Sequence, residues 1–162
     1  PEPSLLGATP RETAHIRTIA RIGDVYLMNN MFMLSPQSRA SERDQGVVDL
    51  LGGQVVRNIK ALDKMIGTDG YACSGRLTLA DCALVPALFL VENVLPGTGV
   101  ENPIPKAANV AAWWAAIQQN EHAAKTLAEL HRGLEERREL IRSGAFEKIM
   151  AAAKAAMQAS EA

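Results

Sequence analysis

The chain is poor in the residues from which most recognisable sites are built. Its two cysteines, Cys73 and Cys82, and three histidines, His15, His122 and His131, form no CxxC pair and no ligand spacing. That excludes the common zinc and dithiol motifs, and no metal ligand is assigned. With 17 basic and 18 acidic side chains and a net charge of −1, it has no basic excess for nucleic acid. The longest apolar run, 83–91, is interrupted by Pro86 and falls well short of the ~20 residues of a membrane span. Also missing are the two-residue alternation of a strand, any internal repeat and a secretory leader, so a reducing cytoplasm is the expected setting. Pro1 stands where an initiator methionine would. Two origins stay open, a trimmed N-terminus or a piece of a longer protein.

What is present is helical periodicity. About half of the 162 residues are apolar, enough for one buried core. Thr9-Pro10-Arg11-Glu12 reads as a helix start, with Thr9 as N-cap, Pro10 at N1 and Glu12 closing a capping box. Ile16, Ile19, Gly23, Leu27, Asn30 and Leu34 then form one stripe, about seven turns long, until Ser35-Pro36. A second pattern over 42–66 puts Val47, Leu50, Leu51, Val55, Ile59, Leu62 and Ile66 inward. Gly52-Gly53 in its middle predicts a close neighbour or a bend. Asn109 is the expected N-cap of a helix over 110–120 carrying Trp113 and Trp114, and a short helix is expected over 121–131. Beyond Gly133 the chain is charged, with Glu135 and Glu139 set against Arg138 and Arg142, then alanine-rich over 145–159. A peripheral helix or a frayed tail fits that composition. The reading is all-α, with five to seven helices: a helical domain over 1–132 and an extension over 133–162.

The most informative stretch is 71–84. Thr78 reads as N-cap and Asp81 as N3, a capping box with aspartate in place of glutamate, flanked by Leu77 and Cys82 as a hydrophobic staple. The helix that follows is apolar on nearly every side. This pattern, Y-x-x-S-G-x-x-T-x-A-D before an apolar helix containing proline, resembles the core helix of the C-terminal, all-helical domain of glutathione transferases. The resemblance extends over about 3–131: the Pro3-x-Leu5-Leu6 linker, the long helix over 17–34, and Asn109 with its tryptophans.

The resemblance implies the apolar-substrate half of an enzyme that conjugates glutathione, its co-substrate, to an apolar electrophile. In that family the thiol-activating residue and the glutathione-binding loop belong to a thioredoxin-like first domain, which this sequence lacks. No catalytic residue and no bound cofactor are therefore assigned to this chain alone. Asp24 is the candidate to receive the glutathione amino group across a dimer, against the alternative of a solvated helix carboxylate. Tyr26, Asn30, Met33 and Leu34 are the candidate pocket lining, against core packing for Met33 and Leu34 and simple exposure for Asn30. Thr78 and Asp81 are structural, Cys82 a small apolar group and Cys73 a loop thiol. A homo-oligomer is expected, with neither nucleic acid nor membrane as partner. A different class stays open, in which the same helical domain serves without catalysis as a protein-docking module.

Overall fold

The computed structural model describes residues 4–160. The chain divides after Leu127 into two compact units, and all regular elements of the described residues are helical.

In the first unit α1 (Pro10–Arg21) runs into a π-helical segment (Ile22–Met28) and then α2 (Asn29–Leu34). All six residues of the expected stripe are buried, but the helix is not uniform. The π segment lies where Gly23 meets α4 (Leu79–Asn93): a Cβ on Gly23 would sit 3.1 Å from the Ala83 carbonyl. The start of α1 differs from expectation in one bond. The Thr9 hydroxyl accepts from the Glu12 amide (3.2 Å), whereas the Glu12 carboxylate accepts from the amide of Ala8 (2.7 Å).

Helix α3 (Gln45–Asp63) is capped by Asp44, whose carboxylate accepts from the Val47 amide (3.1 Å). Its buried face is Val48, Leu51, Val55, Ile59 and Leu62. Leu50, expected inward, is 59% exposed. Leu50 lies about 100° round the helix from Leu51, and the core packs on the side of Leu51 and Val48. Gly52 provides the expected close approach: a Cβ there would lie 2.6 Å from Val100 Cγ2. Helix α4 is followed by a 3₁₀ turn (Leu95–Thr98) closed by Gly99 at φ +92°.

Helix α5 (Ala108–Ile117) corrects another expectation. Asn109 is not its cap. The Asp63 carboxylate accepts the Asn109 and Val110 amides (2.8 and 3.0 Å), and the Asn109 side chain donates to the Asp63 carbonyl (2.8 Å). The cap thus comes from the end of α3. Both tryptophans of α5 are buried: the Trp113 indole donates to Asp81 (3.0 Å) and that of Trp114 to Glu92 (3.1 Å).

Helix α6 (Glu121–Arg142) starts on Asn120, whose side chain accepts from the His122 and Ala123 amides. It continues through Gly133 rather than ending near His131. One interior glycine costs ~1 kcal/mol, an amount that pairs along the same face can offset. Those pairs are Arg132–Glu136, Glu135–Arg138 and Glu139–Arg142, the last two at i,i+3. In the second unit the end of α6 turns at Gly144 (φ +69°) into α7 (Ala145–Ser160), and the Arg137 guanidinium lies 5.5 Å from the centre of the Phe146 ring.

Candidate functional site: a groove beside the π segment

The start of α4 is the structural anchor of the first unit. Its capping box is formed, and Asp81 is fully buried with four donors on its two oxygens. Oδ2 accepts from the Thr78 amide and hydroxyl (both 2.9 Å), and Oδ1 from the Ala72 amide (2.7 Å) and the Trp113 indole (3.0 Å). One carboxylate therefore holds the preceding loop, the helix start and α5 together. Every oxygen is committed to a structural partner, which leaves Asp81 no chemical role in a site.

The two thiols exchange the places expected of them. Cys82 falls on the outer face of α4 and is exposed, and Cys73 is buried, with its sulfur 3.7 Å from the Thr78 hydroxyl. Desolvation, with the Asp81 charge adding to it, pushes both thiols above the ordinary cysteine value. At neutral pH both are protonated and so poor nucleophiles.

Next to this anchor the chain entering α1 is fastened down. Arg76 donates to the carbonyls of Ser4 (2.7 Å) and Leu6 (2.5 Å), and the Leu79 amide donates to the carbonyl of Leu5 (3.0 Å). Leu79 is the first residue of α4, where an amide has no partner within the helix, and the segment entering α1 supplies one. At 38% exposure, its side chain forms one wall of an open groove of about 630 Å³. The remaining lining comes from the end of α1 and the π segment, including Arg17, Arg21, Ile22, Asp24 and Tyr26.

Of the five residues expected to bind substrate, the groove brings together two, Asp24 and Tyr26. Asp24 faces solvent and lies 3.9 Å from Arg21 in an exposed pair of little energetic weight. Tyr26 is half exposed. Met33 is also exposed but does not line the groove, and lies with Val25 and Phe32 among the exposed apolar residues of this helix. Asn30 is buried and donates to the Tyr26 carbonyl (2.7 Å). Leu34 is fully buried, on the core-packing side of the two readings given for it. Sequence reasoning missed Arg17, Arg21, Ile22 and Leu79, together with Thr18 and Ala20. The first two share with Asp24 the i, i+4, i+7 spacing of one helix face, a signal that was available. Leu79 had none, because only the tertiary fold brings α4 beside the π segment.

Chemically, the groove offers apolar surface from Ile22 and Leu79, an aromatic ring, and charges of both signs. That arrangement suits binding and orientation rather than covalent catalysis. Among the described residues no three histidine, cysteine, aspartate or glutamate side chains converge on a metal position, and no helix is long and apolar enough to cross a membrane.

Comparison with known proteins relates part of this chain to a family. Residues 45–116 match the model of the glutathione S-transferase C-terminal domain, a stretch that holds α3, the capping box, α4 and both tryptophans. Maleylacetoacetate isomerase of Pseudomonas aeruginosa is 27% identical over 121 residues, which are 74% of this chain and 57% of that protein. The chain thus spans little more than half the length of the relative it matches. Of the groove, Leu79 lies inside the family match, whereas the lining residues of 17–26 lie before it. Residues 45–116, with the Thr78–Asp81 anchor at the start of the apolar central helix, are thus similar to the C-terminal domain of the glutathione S-transferase family.

Proposed function

We propose that this domain supplies the apolar-substrate wall of a glutathione-dependent enzyme, the thiol being activated by a thioredoxin-like domain that is not among these 162 residues. The observation that carries the reading is the groove in which Tyr26, Ile22 and Leu79 offer apolar surface beside Asp24 and the two arginines. An apolar electrophile lies against that apolar surface, and the charged lining residues meet the polar glutathione conjugate. The relative's name widens the parent reaction from conjugation to isomerisation. By itself the chain binds and does not turn over, since its thiols are protonated at neutral pH and the groove presents no activated nucleophile.

The test is a titration of the purified chain with 1-chloro-2,4-dinitrobenzene, followed by amide chemical shifts, alongside an assay of its conjugation to glutathione. Shifts confined to 17–26 and 79, a Tyr26→Ala variant binding about threefold or more weakly, and conjugation no faster than the uncatalysed rate are the expected results. Turnover would reveal an overlooked catalytic group. Shifts elsewhere, or none at millimolar ligand, would remove the groove as the substrate wall.

A further inference from the structure

Helix α7 stands apart from the rest of the chain in one respect: from Glu147 to Ala159 every residue is exposed. Sixteen residues make a helix about 24 Å long, close to the length at which even alanine-rich helices are marginal in water. Its sequence is nevertheless amphipathic in a particular way. Phe146, Met150, Ala153 and Met157 recur at spacings of four, three and four, the seam of a coiled coil, and Ile149 widens that seam on one side. Ile149 and Met150 are each more than half exposed. The charges that flank the other side of the seam are Glu147 and Lys154, seven residues apart and of opposite sign.

We propose that α7 is a self-association helix that pairs antiparallel with α7 of a second copy of this chain. In an antiparallel pair, Met150 of one helix lies level with Ala153 of the other, and Phe146 with Met157. Bulky side chains then face small or flexible ones, so the seam fills without clash. Between those two layers Glu147 of each helix lies beside Lys154 of the other. The two-fold axis repeats that contact, so each dimer has two complementary pairs from only two charged positions. Parallel pairing sets the Glu147 and Lys154 flank against Ile149 and Ala156, which offer no charge, so flank charges of this kind select the orientation. The remaining positions, mostly alanine with Lys148 and Gln158, form the outer face. This surface is separate from the groove, and the proposal stands or falls independently of the substrate reading.

The experiment is sedimentation equilibrium of the full chain at low salt over a concentration series, with far-UV circular dichroism melts to check that exposed substitutions leave the fold intact. The parent chain is expected to show a monomer–dimer equilibrium that Met150→Asp abolishes. Glu147→Lys or Lys154→Glu alone puts two like-charge pairs in the dimer and raises its dissociation constant by about fivefold or more. The double exchange Glu147→Lys/Lys154→Glu restores it to within about twofold of the parent. A parent chain that is monomeric at every concentration, a dimer indifferent to Met150→Asp, or a double exchange no better than the worse single variant each overturns the proposal.

Discussion

Two helices of this protein begin with the same local device and use it differently. At α1, Thr9 caps an exposed helix end, and Glu12 reaches back to the Ala8 amide in solvent. At α4, Thr78 and Asp81 close the reciprocal box that α1 leaves half made, with no exposure, and the carboxylate also takes up the Ala72 amide and the Trp113 indole. The motif determines where a helix starts. Its contribution to stability depends on what else it binds and on whether water can replace it.

That contrast can be tested in order of expected effect. Replacing Asp81 with alanine leaves four donors unpaired, three of them on buried groups of the loop and helix start and one on an indole. At ~1–3 kcal/mol for each orphaned group, the loss is expected to be about 4 kcal/mol or more. Urea melts measure it, and a midpoint within error of the parent would show that the anchor carries no weight. Asp63→Ala comes next, because the cap of α5 is partly buried and supplied across the fold: ~1–2 kcal/mol by the same melts. If Asp63→Ala cost as much as Asp81→Ala, the indole and loop bonds would not be what sets the two apart.

Smaller still is Thr9→Ala, at ~1 kcal/mol or less. The mildest effect concerns pH. Hydrogen bonds from the Ser74 side chain and the Ala8 amide, with the Arg76 charge adding to them, hold the Glu12 carboxyl below its ordinary value. A folded-state value below the unfolded one means that its stabilisation is present above the unfolded value and is lost as pH falls through the depressed folded value. Thermal midpoints of Glu12→Gln and the parent are therefore expected to differ more at about pH 6 than at about pH 3. A gap of equal size at both would mean that the side chain acts through packing instead of charge.

The same distinction between local and distant partners explains what could be read in advance. The stripe from Ile16 to Leu34 was legible because burial on one helix face needs only a spacing of three and four. The π segment inside it was not, since its neighbour is the carbonyl of Ala83, sixty residues away. Val48 displaced Leu50 from the core of α3 because both fit a loose apolar pattern and the packing partner decides the phase. For the groove, the sequence pointed to Asp24 and Tyr26 on a helix expected to line a cleft, and Leu79 became part of it only when α4 packed beside it.

By itself, then, the sequence determined the helix starts at Thr9 and Thr78, the apolar helix after Asp81 and the all-helical class, since capping and periodicity act over three to seven residues. Tertiary structure alone decided that Asp63 caps α5, that Trp113 closes the Asp81 network, that Cys73 is buried while Cys82 faces solvent, and that Arg17, Asp24 and Leu79 share one groove. Each of those depends on the distance between groups far apart in the chain, and that distance is set only when the helices pack.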